Sequence, residues 1–362
     1  MSTGNLVAPS GSVSPATKVS APAGVQFRRN VSGPILPGSS TSLQISTGNK
    51  FRFIGIRLQY TLVQPGTPVA ITPSNILAGD EFGLIQSVIL STTDNDYIVN
   101  AKALELIKVW GRLNPHHKPV LPALKNAGTT SPVIDSTIVI PFWLLKYFDP
   151  VETSLNTKAL LPGQLNMTIN WGTVANVTSI AGASLGGAMT VELRTLENYG
   201  GTVPVKDFRI NRIPLLNVAA GASRITTDIP FASNLSYVGF ITHEYVTSTG
   251  LDSPGILSQF RMKNGEFYFY DCPPNVMRQI CMQQADHFLG YSGDAYSNGE
   301  LIDYSSQTSD DAWTYTPICW DGYETEALST GGKSGLKFEY DIASTAPSGA
   351  AVDVYGLQIL TA

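Results

Sequence analysis

Residues 136–171 read STIVIPFWLLKYFDPVETSLNTKALLPGQLNMTINW. Two apolar runs bracket a polar loop. The first, 136–145, is dense in Ile, Val, Thr, Phe and Trp, the residues that fit a pleated and half-buried surface, and reads as a strand. The loop holds Asp149-Pro150 and Ser154-Leu155-Asn156-Thr157, side chains that favour turns over ladders. The second run, 164–171, sets Leu165, Met167, Ile169 and Trp171 on one parity and Asn166, Thr168 and Asn170 on the other, so one face is buried and one is wet.

Working outward, the same grammar recurs. Residues 42–63 read as strand: Leu43, Ile45, Phe51 and Phe53 alternate with polar residues, while Arg52, Arg57 and Gln59 face the other way. Further strands fit 82–90 and 96–99, split by Thr93-Asp94-Asn95, and then 188–196. In between, 101–113 (AKALELIKVWGRL) changes period and reads as a helix of about three turns, stopped by Asn114-Pro115. Residues 197–205 (ENYGGTVPV) are the expected joint. Beyond them strands fit 206–216, 224–229, 235–245, 256–270 (turning at Asn264-Gly265), 312–320, 335–342 and 351–360. A second helix is expected at 275–288, entered through Pro273-Pro274. Short strands with frequent turn signals indicate antiparallel sandwiches rather than a parallel sheet with crossover helices. The expected fold is all-β: two tandem eight-stranded antiparallel jelly-roll sandwiches, each with one short helix. The expected division is a flexible arm at 1–26, a first jelly roll at 27–200 and a second at 201–362.

Composition narrows the function. The chain has 362 residues, of which 43% are hydrophobic and only 14% charged, with 23 basic against 28 acidic side chains. That balance excludes a basic protein held on nucleic acid by phosphate contacts, so no specific nucleic-acid binding is expected. Few charges fit a surface covered largely by copies of the same chain. The arm 1–26 carries one charge, Lys18, and too little apolar surface to offset ordering. It lacks the pattern of a signal peptide, and no apolar run is long enough to span a bilayer, so synthesis and assembly in a reducing cytoplasm are expected. Cys272, Cys281 and Cys319 match no metal or redox spacing and read as buried thiols. The Asn-x-Ser/Thr sequons at Asn30, Asn166, Asn176 and Asn234 carry no weight without a secretory signal.

Candidate chemistry is sparse. His116-His117 lacks further ligands at zinc spacing. His243-Glu244 and Asp286-His287 are isolated pairs. Asp94-x-Asp96 and Ser309-Asp310-Asp311 lack the oxygens and bend of a calcium loop. Glu324 and Glu326 share a strand face, as paired carboxylates of a glycosidase must, but a solvated edge is the commoner cause. In Phe267-Tyr268-Phe269-Tyr270, alternation sends Phe267 and Phe269 to the core and Tyr268 and Tyr270 outward, to stack on a neighbour or a sugar. No nucleophile elbow, phosphate loop or zinc-protease motif occurs. No catalytic, cofactor-binding or metal-ligating residue is nominated, and no cofactor or enzymatic activity is expected.

The stretch quoted first also carries a resemblance. A strand ending in Pro141-Phe142-Trp143, an acidic loop from Asp149-Pro150 to Thr157, and a strand ending in Ile169-Asn170-Trp171 resemble the major capsid proteins of the double jelly-roll lineage. Those are found in tailless icosahedral viruses, often with an internal membrane. The motif covers about a tenth of the chain, whereas the two-half layout covers nearly all of it. The resemblance leans toward a bacteriophage. It implies a structural virion protein that forms homotrimers with a pseudo-hexameric outline and tiles beside neighbouring capsomers and minor or penton proteins. It also implies outward loops at 114–132 and 290–312, and an N-terminal arm lying low, where Arg28 and Arg29 either touch the phosphates of an internal viral membrane or flank the first strand. The competing readings from the residues are a carbohydrate-binding or glycan-hydrolysing sandwich, motivated by Tyr268, Tyr270 and Glu324, and a viral spike.

Overall fold

The structure, a computed structural model, describes residues 24–67, 71, 75–76, 80–92, 97–102, 131–142, 154–199, 206–248, 253–277, 296–297, 300–301, 313–318 and 327–361. The first half contributes β1 (Gly24–Pro34), β2 (Ser40–Gln44), β3 (Lys50–Val63), β4 (Ile85–Thr92), β5 (Tyr97–Ala101), β6 (Val133–Pro141), β7 (Leu155–Asn156), β8 (Leu165–Trp171) and β9 (Ser184–Tyr199). The second contributes β10 (Lys206–Pro214), β11 (Ile225–Asp228), β12 (Leu235–Val246), β13 (Leu257–Asn264), β14 (Phe267–Cys272), β15 (Tyr296–Ser297), β16 (Glu300–Leu301), β17 (Trp313–Pro317), β18 (Leu328–Ser329), β19 (Leu336–Ile342) and β20 (Ala350–Thr361).

Three main sheets result, with orders β1-β9-β3-β6, β17-β12-β20-β10-β5-β4-β8-β2 and β11-β19-β13-β14. Setting aside the two-residue strands, each half runs through eight strands in one pathway. The first, eighth, third and sixth form one sheet, and the second, seventh, fourth and fifth form its partner. That is two Greek keys folded face to face, a jelly roll, and it occurs twice. The expected all-β tandem fold is what the chain adopts.

The two rolls are fused. β5 of the first pairs in parallel with β10 of the second through Ile210↔Val99 and Asn211↔Asn100. One sheet of each roll thereby becomes half of a continuous wall. Alternate residues of that wall serve two cores: Phe208, Ile210, Tyr355, Leu357 and Ile359 join the first apolar cluster, while Ile213, Val352 and Val354 join the second. Lys102, just beyond β5, staples the junction. Its Nζ lies 3.8 Å from the Asp353 carboxylate of β20 and 3.7 Å from the centre of the Tyr245 ring of β12.

Several boundaries differ from expectation. The strand expected over 42–63 is two strands in different sheets, joined by a corner at 45–49 in which Gly48 takes φ +114°. A register slip between Phe51 and Phe53 then sends Phe53 to the outer face, where its ring meets Phe27 at 5.9 Å. β1 begins at Gly24, inside the segment expected to be an arm, because residues 24–26 pair with Glu197, Asn198 and Tyr199. That pairing also places 197–199 in β9 rather than in a joint. Residues 103–130, with the expected first helix, lie outside the described residues; of the second, residues 274–277 are helical, with the Val276 and Met277 amides donating to the Pro273 carbonyl.

Candidate functional site

Two networks of paired charges line the flanks of the sandwiches. On the outer face of the first sheet, Glu192 gathers three guanidinium groups. Arg194 donates from Nε at 2.5 Å, Arg29 lies at 3.5 Å and Arg57 at 3.7 Å. Arg57 also forks onto Asp135 across the β3–β6 ladder, with contacts of 2.6 and 2.5 Å. The hydrogen bond from Arg57 holds the Asp135 carboxyl below the ordinary carboxylate range.

The outer face of the third sheet carries a matching lattice. The Arg261 guanidinium sits 3.0 Å from Asp271, 3.5 Å from Glu339 and 2.9 Å from Asp341, and Lys263 binds Glu339. Burial pulls the Arg261 pKa down, but the Asp341 hydrogen bond and the surrounding carboxylates outweigh it and the net shift is upward. Such ladders fix side chains in register and offer a mixed-sign surface to a neighbour; they contain no nucleophile–base pair.

The nominated residues fall as follows. Arg28 and Arg29 lie within β1. Arg28 donates to the buried Glu197 at 2.7 Å, and Arg29, with its side chain 60% exposed, lies 3.5 Å from Glu192. His243 and Glu244 are buried on β12; His243 stacks on Tyr245 and Glu244 accepts the Leu257 amide at 2.9 Å, both contacts within the fold. The Phe267–Tyr270 reading holds at Tyr268, which is exposed, and fails at the other three residues. Phe267 and Phe269 are exposed and meet edge to face at 5.0 Å, while Tyr270 packs toward Phe260 in the second core. The reason is register: Tyr270 and Cys272 oppose the buried Met262 and Phe260 of β13, and facing partners share a face. Tyr268 is exposed, with Lys263 Nζ 5.7 Å from its ring centre. Cys272 is a half-buried free thiol whose pKa burial pushes up. His116, His117, Asp94, Asp96, Asp286, His287, Ser309, Asp310, Asp311, Glu324, Glu326, Cys281 and Cys319 lie outside the described residues. No cluster of three metal-ligating side chains occurs among the described residues.

What sequence reasoning missed is a pair of sheet edges. β1 ends the first sheet and β14 ends the third, and neither has an outer partner strand among the described residues. Both carry exposed aromatics: Phe27 on β1, and Phe267, Tyr268 and Phe269 on β14.

No protein-family model matches the sequence, and no curated protein matches it. Solved structures do. The chain is similar to the STIV MCP, with a TM-score of 0.61 at 12% identity over 94% of this chain and 97% of that one. It is similar to a chain of the Sulfolobus Turreted Icosahedral Virus, with a TM-score of 0.62 at 10% identity over 94% and 91%. It is also similar to the major capsid protein P2 from Bacteriophage PM2, with a TM-score of 0.54 at 11% identity over 93% and 98%. Matches end to end with these shell proteins, on a strand pathway traversed twice, leave one description: the chain has the double jelly-roll fold of viral major capsid proteins.

Proposed function

We propose that the chain is the major capsid protein of an icosahedral virus, a structural subunit without catalysis. The observation that carries this reading is the duplicated eight-strand pathway, which accounts for nearly all the described chain and runs the length of the capsid proteins it resembles. The flanks support it: sheet faces laced with paired charges, and strand edges open among the described residues at both ends of the tandem, suit lateral contact with further copies. In this reading the unit is a homotrimer with two rolls per copy divided near residue 200. Its partners are neighbouring capsomers and minor or penton proteins, and its site is the virion shell after assembly in the host cell. A carbohydrate role gains nothing from the described residues, since Tyr268 lies beside Lys263 and Tyr270 faces the core.

The test is to size the purified full-length chain by light scattering over a wide concentration range and to image it by negative stain. Trimers, and tile or shell assemblies at high concentration, are expected. A chain that stays monomeric throughout rejects the proposal.

A further inference from the structure

The two rolls repeat each other residue by residue where their fourth and fifth strands pair. β4 and β13 show the same succession of buried and exposed positions. Val88 and Leu90 oppose Ala101 and Val99, and Phe260 and Met262 oppose Cys272 and Tyr270. The register slips at the same step in both, between Leu90 and Ser91 and between Met262 and Lys263. Val99, Asn100 and Ala101 of β5 therefore correspond to Tyr270, Asp271 and Cys272 of β14. The first strands repeat too, and here the repeat survives in sequence: Phe27-Arg28-Arg29-Asn30 on β1 answers Phe208-Arg209-Ile210-Asn211 on β10.

Inside the chain, the fifth strand of the first roll accepts the first strand of the second, in parallel, at Val99–Ile210 and Asn100–Asn211. The corresponding strands at the two ends, β14 and β1, form edges that are open among the described residues. Residues covered at the internal junction are bare at these ends. Phe208 is 1% exposed and its counterpart Phe27 is 53% exposed; Ile98 is 2% exposed and its counterpart Phe269 is 37% exposed. Among the described residues β2, β6, β11 and β17 also end sheets, but there only the fifth-to-first contact has a precedent.

We propose, resting on the reading of the chain as a self-assembling shell subunit, that β14 of one copy adds in parallel to β1 of the next. This places Tyr268 beside Phe27, Tyr270 beside Arg29 and Asp271 beside Asn30, so that two exposed aromatics, Tyr268 and Phe27, meet on one face of the joint sheet. Each copy then offers one edge of each kind. The contact is heterologous and head to tail, so it propagates until a ring closes. Open, aromatic-bearing edges that would be a liability on a monomer become the joint that the fold already uses once.

The test uses the full-length chain with Cys272→Ala as background. Asn30→Cys and Asp271→Cys are purified separately, checked by circular dichroism, mixed before assembly and oxidised. The expected result is covalent dimers carrying a 30–271 disulfide identified by peptide mass spectrometry, with neither variant alone giving it. Hydrogen exchange on the unmodified chain supplies a second reading, in which the amides of 24–34 and 267–272 gain at least tenfold protection on assembly. Assembly without the disulfide and without that protection overturns the junction while leaving the shell proposal standing. A chain that never assembles overturns both.

Discussion

Glu197 is fully buried, and its two oxygens hold three partners. Arg28 Nε donates at 2.7 Å, Asn49 Nδ2 at 2.6 Å and Thr195 Oγ1 at 2.5 Å. These contacts tie β1 to β9 and to the corner ahead of β3. Removing such a carboxylate strands a guanidinium and an amide, so Glu197→Ala is expected to cost about 3 kcal/mol in chemical denaturation. Lys50 is the opposite case. It is fully buried at the start of β3, and its Nζ has no hydrogen-bond partner among the described residues. Burial first, and nearby Lys158 second, hold its pKa below the ordinary 10.5. Between the folded value and 10.5 the unfolded chain binds the extra proton, so stability rises with pH across that window. Lys50→Met is expected to add about 1–2 kcal/mol at neutral pH and to flatten the rise, which denaturation between pH 7 and pH 11 measures. Neither role is legible in sequence: Gly48-Asn49-Lys50 falls inside the stretch read as one strand over 42–63, and only the crossing between sheets brings Lys50 inside.

The strand positions themselves were largely readable, because alternation of apolar and polar residues is local. Gln164–Trp171 and the Asn264-Gly265 hairpin, in which Gly265 takes φ +60°, appear nearly where the pattern puts them. What failed was non-local. β1 follows a Ser, Ala and Pro-rich segment and is a strand because β9 offers it a ladder. The faces of Phe267–Tyr270 follow from a register slip opposite β13, and Phe and Tyr are too alike in hydrophobicity to reveal the parity. The third sheet also depends on pH. At Asp341 of β19, burial pushes the pKa up, but the Arg224 amide at 2.6 Å and the Arg261 guanidinium at 2.9 Å outweigh it, and the net shift is below the ordinary 3.8. That contribution is present above about pH 4 and fades as pH falls through the lowered folded value. Between pH 5 and pH 2, the chain is expected to lose stability more steeply than Asp341→Asn, as thermal unfolding at stepped pH would show. A variant with the same acid slope as the unmodified chain would refute the assignment.

At the scale of the molecule, the two-half plan was legible from strand count and spacing, but the residue-level repeat was not. β4 and β13 share a burial pattern while sharing almost no residues, and Phe27-Arg28-Arg29-Asn30 stands out only beside its partner on β10. The candidate surfaces were equally hidden, since an open edge is a property of what does not pair. Replacing the two exposed phenylalanines of β14, Phe267→Lys with Phe269→Lys, is expected to leave the thermal midpoint within about 2 °C, as surface changes away from a core usually do. The same change is expected to lower assembly at least tenfold by light scattering. Assembly equal to that of the unmodified chain would place the contact elsewhere.

The continuous wall has a mechanical corollary. Because β5 and β10 belong to one sheet and its two faces serve both cores, the tilt of one roll against the other is set when the chain folds. The chain then behaves as a stiff double stave, and in the proposed shell the curvature must be taken up at the seams between staves.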